Sequence, residues 1–202
     1  MKKLFVSVLA VLVFSGLAMA SITPALDGGA PTGPVTGVWT WTYSISVDGN
    51  ESLNPSANAS ATCLGGQSPC NTFWTIYDVG GLLTSTELTP GGWGWVENAV
   101  GITPSGQLIA DSPSYLNITF YYTGATQTGP ITSIDGFSFE STTGTANPDG
   151  IFSYQATKIQ NNKPDQGQGN VDIPQTVPEP ASVLLIGGGL IGLAFVRRKR
   201  SR

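Results

Sequence analysis

From Val38 to Gly49 the chain reads V-W-T-W-T-Y-S-I-S-V-D-G, and no other stretch restricts its fold so tightly. Trp39, Trp41, Tyr43, Ile45 and Val47 fall on one side, and Thr40, Thr42, Ser44 and Ser46 on the other. Strict period-two alternation of aromatic and β-branched residues with small polar ones predicts a half-buried strand, ended by the Asp48-Gly49 turn. A helix would scatter these residues around its circumference.

Further strands are predicted at Thr72 to Val79, Gly92 to Val100, Gln107 to Ala110, Tyr115 to Thr123, Ile134 to Glu140 and Ile151 to Lys158. Turn signals such as Gly129-Pro130 and Asn147-Pro148-Asp149-Gly150 separate them. No segment of residues 38–160 keeps a helical apolar pattern for ten residues. The expectation is an all-β fold, a single antiparallel β-sandwich of jelly-roll type over residues 38–160. Residues 21–37, with Pro24, Pro31 and Pro34, read as a loose leader, and the polar, Gly- and Asn-rich residues 161–176 as a flexible linker.

Charge is divided sharply along the chain. Of the nine basic residues only Lys158 and Lys163 lie in the body, which carries twelve of the thirteen acids. Such a body cannot neutralise phosphates, which argues against nucleic acid as a partner. Histidine is absent, removing the commonest general base and metal ligand.

The two ends read as membrane signals. Lys2-Lys3, the apolar Leu4 to Leu17 and the small-x-small triplet Ala18-Met19-Ala20 form a secretory signal peptide over residues 1–20. It calls for the Sec translocon and for signal peptidase, which would cut after Ala20 and leave Ser21 first. At the other end Val183 to Val196 is apolar, about 21 Å long as a helix at 1.5 Å per residue. With Ala181 and Ser182 it gives a short transmembrane helix over 181–196, stopped on the inner-membrane side by Arg197, Arg198, Lys199 and Arg200. Four glycines within it, Gly187, Gly188, Gly189 and Gly192, favour a transient anchor over a permanent one.

Pro178-Glu179-Pro180, followed by Ala181-Ser182, the apolar run and the basic end, resembles the PEP-CTERM sorting signal of Gram-negative bacteria. The resemblance covers residues 177–202. It implies recognition by an exosortase, cleavage near Pro178-Glu179-Pro180, delivery to the cell surface or extracellular matrix, and company with exopolysaccharide and biofilm. The same tail also goes by the name of an ice-binding-protein C-terminal motif, a label that implies nothing about ice.

Candidate chemistry in the body is sparse. Cys63 and Cys70 are the only cysteines; in an exported chain they are read as a disulfide, which would contribute roughly 2–3 kcal/mol. A metal pair of thiolates would lack further ligands. Without histidine, the Ser/His and Cys/His arrangements fall away, and paired carboxylates are the remaining hydrolytic option, with Glu51, Glu87, Glu97 and Glu140 as candidates. The five tryptophans are read chiefly as core, with Trp93 and Trp95 in G-W-G-W the candidates for surface stacking on a sugar ring. Gly187 to Gly192 satisfies G-x-G-x-x-G, but lacks the βαβ setting and the downstream acid of a dinucleotide site. No cofactor or metal site is expected. The favoured function is a non-enzymatic exported surface or matrix protein; the alternative is a secreted glycan hydrolase using two carboxylates.

Overall fold

The computed structural model describes residues 21–55 and 72–175. The signal peptide with Ala18 and Ala20, the Cys63–Cys70 pair, the Pro178-Glu179-Pro180 motif, the 181–196 span and the Arg197–Arg200 cluster lie outside the described residues.

The described residues form an all-β fold of two antiparallel sheets with no α-helix. The smaller sheet contains β1 (Ile22–Leu26), β2 (Thr32–Val35), β3 (Val38–Val47) and β9 (Ile131–Ser141). In it β3 pairs with β1 and β2 and, along nearly its whole length, with β9. The larger sheet runs β6 (Trp93–Asn98), β7 (Leu116–Tyr122), β5 (Phe73–Val79), β10 (Ala146–Lys158), β4 (Glu51–Leu53) and β8 (Gln127–Thr128). Its last member, β11 (Pro164–Pro174), pairs with β10.

The alternation in β3 does what its pattern predicts. Trp41, Tyr43, Ile45 and Val47 are buried, while Thr40, Thr42, Ser44 and Ser46 are half-buried. The core between the sheets is aromatic: Phe137 of β9 stands edge-on to Trp74, Phe120 and Trp93, at centroid distances of 5.3, 5.2 and 5.0 Å. Trp74 stacks on Phe120 at 4.7 Å and Tyr43 on Phe139 at 5.7 Å. Rings that each bury roughly 150–250 Å², in edge-to-face and offset geometry, supply the apolar area that a body with few leucines must find elsewhere.

Several expectations need correction. The presumed leader contains β1 and β2, and Ile22 is fully buried; β1 alternates in and out, and β3 supplies its hydrogen-bond partners from Tyr43 to Val47. The presumed linker is mostly β11, an eleven-residue strand. Its glycines are not slack. A Cβ on Gly167 would lie 2.6 Å from the Tyr154 ring and one on Gly169 2.7 Å from the Phe152 ring, so these positions are bare to let β10's rings lie across the strand. Gln107 to Ala110, by contrast, forms no strand. It belongs to the covering segment between β6 and β7, where the Ile102 carbonyl accepts from Thr75 and Tyr77 hydroxyls at 2.8 and 2.9 Å.

Candidate functional site

Of the four candidate glutamates, the fold brings Glu87 and Glu97 together. Glu87 lies on the segment from Gly80 to Gly92, which runs along the free edge of β9. Leu83 N–H donates to Glu140 O at 2.9 Å, and Leu88 and Ser138 exchange backbone bonds of 2.8 and 3.0 Å. Glu97 lies on edge strand β6 of the larger sheet, opposite Ile118. The two carboxyls therefore meet where the edges of the two sheets meet, and Ser85 N–H donates to Glu97 Oε1 at 2.8 Å across the same junction.

Glu87 is 5% exposed, and neither of its carboxylate oxygens accepts a well-formed hydrogen bond from a donor group. Its nearest polar company is another carboxyl. Burial first, then the facing Glu97 carboxyl, push Glu87 up to about 8, with the backbone N–H groups of Glu87 and Thr86 offsetting part of the rise. Glu87 thus keeps its proton to a higher pH than a free carboxyl, because a charge there would be both desolvated and beside another carboxyl.

Glu51 stands elsewhere, on β4, directly opposite Lys158 of β10. It is nearly buried, and its Oε2 has no partner. It helps to line a pocket of about 640 Å³ together with Ser21, Asp48, Lys158 and Asp165. Desolvation, then Asp165 and Asp48, raise it to about 7, against the opposing pull of Lys158. Glu140 joins neither group; its backbone N–H donates to Thr86 Oγ1 at 2.9 Å.

A third acidic cluster is a fastening. Asp78 Oδ1 accepts from Ser112 N–H at 2.9 Å, and Asp111 accepts from Gly101 N–H at 2.8 Å and from Asn117 Nδ2 at 3.1 Å. These bonds pin the covering segment to β5 and β7. Among the described residues no cluster of three or more acidic side chains is arranged to hold a metal ion.

The aromatic candidates separate. Trp93 is buried at 7% exposure, packed on Tyr122 and Phe137, and cannot present a face to a sugar. Strand periodicity puts residues 93 and 95 of β6 on one face, and that face packs on the core. Trp95 is half-buried and packs against the same core.

For a retaining glycosidase the two carboxyls stand about 5–5.5 Å apart with the sugar between them, and for an inverting one farther. Of the two carboxyls that the fold brings together, Glu87 is buried and Glu97 is half-buried on the neighbouring sheet edge. The arrangement joins two sheet edges, through Ser85 N–H on Glu97 and the strap's backbone bonds to β9.

An all-β body carrying a short acidic motif, an apolar run and a basic end has the layout of an exported protein with a C-terminal sorting tag. Residues 176–200 match the family model of the PEP-CTERM protein-sorting motif, a match that implies export across the membrane and processing by an exosortase. The match is confined to the tail. Comparison with curated proteins and with solved structures yields no match.

Among the described residues no helix is long and apolar enough to cross a membrane.

Proposed function

We propose that this protein is a non-enzymatic component of the cell surface or extracellular matrix, whose β body associates with exopolysaccharide. The leader takes the chain through the Sec translocon, signal peptidase removes it after Ala20, and the 181–196 span holds the chain until the exosortase cuts near Pro178-Glu179-Pro180. The observation that carries the reading is the sorting motif on residues 176–200. Support from the body is its chemistry: of the two candidate glutamates that the fold brings together Glu87 is buried, and most aromatic rings of the described residues pack in the core. Half-buried Thr and Ser on β3 and a Gln-, Gly- and Asn-rich β11 leave polar strand faces suited to many weak hydrogen bonds with sugar hydroxyls.

The test has two arms in the native host. Glu179→Ala is expected to leave full-length protein in the membrane fraction, where the unaltered chain is processed and reaches the surface. Normal maturation of the variant would remove the role assigned to the tail. The processed protein is expected to co-sediment with the host's own exopolysaccharide. Failure to do so, together with an unchanged biofilm on deletion, removes the polysaccharide assignment and leaves only the sorting.

A further inference from the structure

The pocket beside Glu51 has an excess of negative charge. Asp48, Glu51 and Asp165 line it with one cation, Lys158, whose Nζ is already 2.9 Å from Asp165 Oδ1. Glu51 is 4% exposed with an unpartnered Oε2, and Ser21, in the same pocket, is 3% exposed with an unpartnered Oγ. Buried polar atoms of this kind ordinarily have partners, and an unpaired buried carboxylate is the costliest sort to leave alone. The pocket thus calls for a donor that carries positive charge.

Ser21 is held at this place by backbone bonds. Asp48 N–H donates to Ser21 O at 3.0 Å, and Glu51 N–H donates to Asp48 O at 3.2 Å, so Ser21 and Glu51 are two hydrogen bonds apart. The next residue, Ile22, is fully buried and paired with Val47. Ser21 is also the residue that the Ala18-Met19-Ala20 pattern makes the first of the mature chain. Hydrolysis of the Ala20–Ser21 bond adds one water: its hydroxyl goes to the Ala20 carbonyl, which leaves as a carboxylate, and Ser21 keeps the amine. A free α-amino group titrates near 7.7–8.0 and is largely protonated at neutral pH.

We propose that the Ser21 α-ammonium created by removal of the leader docks in this pocket as the counter-ion of Glu51, so that export processing completes an ion pair locking β1 to the end of the larger sheet. The groups facing it are Asp48, Glu51 and Asp165, with Lys158 the one opposing charge. An ammonium brings three donors and a unit charge on a very short stem, whereas Lys158 is occupied and its side chain is 44% exposed. The precursor, with an amide at Ser21, lacks this pair. Its carboxyl is then the one pushed up to about 7, chiefly by burial. The inference rests on the export reading above only for the cut after Ala20.

Two measurements test it. N-terminal sequencing of the protein exported by its own host is expected to begin at Ser21; a start elsewhere overturns the proposal at the processing step. Separately, the chain is released from a protease-cleavable fusion to begin either at Ser21 or with Ala20 retained, each with Glu51 or Glu51→Gln. The Ser21 start is expected to melt roughly 3–6 °C above the Ala20 start, a difference absent in the Glu51→Gln pair. Carbon-13 titration of the Glu51 carboxyl is expected to fall from about 7 in the Ala20 start to at or below the ordinary glutamate value of about 4.3 in the Ser21 start. Equal melting and an unmoved Glu51 midpoint overturn the pocket assignment even where sequencing finds Ser21. Stabilisation of both starts alike by added calcium overturns it in favour of a metal site. Neither outcome touches the sorting role, which stands or falls on Glu179→Ala.

Discussion

Glu51 and Glu87 are both nearly buried, and in both the loss of water is the first cause of a raised proton affinity. Their surroundings differ. Glu51 sits on a paired strand, opposite a lysine and above a pocket open to solvent, so its charge can be met by a cation. Glu87 sits on a strap along an edge and faces a second carboxyl, so its charge can be met only by a proton. One junction between the sheets is therefore tuned by what binds or is cut, the other by pH. Burial makes an acid need a partner; the neighbouring strand decides which partner.

The largest expected difference between the two places is steric. Gly129 N–H donates to Glu51 O at 2.8 Å, and a Cβ there would fall 2.0 Å from the Asp48 carbonyl oxygen and 2.8 Å from its carbon. That obstacle is backbone and cannot rotate away. Gly81→Ala, at the root of the strap carrying Glu87, meets the Thr142 and Thr143 hydroxyls, the first at 2.4 Å, and these can turn aside. Its remaining cost comes from a φ of +62°. Gly129→Ala is expected to lose about 3 kcal/mol and Gly81→Ala about 1 kcal/mol, read as shifts of urea midpoint at constant slope. Equal losses would mean that the strap is as firmly built as the paired strands, and the comparison would fail.

Next in size is the pH response. Glu87 has its ordinary low value in the unfolded chain and about 8 in the fold. Between these the folded state holds a proton that the unfolded state has released, so stability is fully present below about pH 4.5 and declines as pH rises to about 8. Above that both states are ionised and the decline stops. Glu87→Gln, which replaces the proton by a permanent amide donor, is expected to flatten the melting temperature across this window and to leave the protein relatively more stable at pH 9 than the unaltered chain. Glu51 ends its contribution nearer pH 7 and only where Ser21 is blocked, so Glu51→Gln is expected to leave the slope from 7 to 8 intact. A slope from 7 to 8 that survives Glu87→Gln would place the titrating group elsewhere.

These two sites were legible in the sequence to different degrees, for reasons that lie in strand pairing. Runs of aromatic and β-branched residues announce β3, β5, β6, β7 and β9 to within three positions, whereas β10 begins five residues before Ile151 and runs through Asn147-Pro148-Asp149-Gly150, read from sequence as a turn, with an irregular register there. Neither β1 nor β11 announces itself. The five residues of β1 include a proline, and β11 replaces side chains with glycine where Tyr154 and Phe152 need room. Both are strands because a neighbour imposes it. The acids follow the same rule: Glu87 and Glu97 are ten positions apart with a turn between them, and only the strap's pairing with β9 at Leu88 and Ser138 brings them into contact. Glu51 is visible as an acid after a turn, while its pocket includes Ser21, placed there by the strand β1 that composition disguises as a leader. Trp93 misleads in the opposite direction, since flanking glycines suggest exposure where the ring lies on the core face of β6.

The smallest effect on stability isolates the cation side of the comparison. Lys158 pairs with Asp165 at the surface, where such a bridge contributes little to folding because water and salt screen it and both side chains lose freedom to make it. Lys158→Met keeps the apolar stem across β4 while removing the charge, so the melting temperature is expected to move hardly at all. The Glu51 midpoint is nonetheless expected to rise, with either N-terminus, since Lys158 is the group holding it down. Glu87, which has no cation to lose, is expected to keep its own midpoint in the same variant. An unmoved Glu51 would show that Asp165 absorbs the whole of the lysine's field, leaving the α-ammonium as the sole charge able to set this acid; a large loss of stability would show that β10 depends on the bridge.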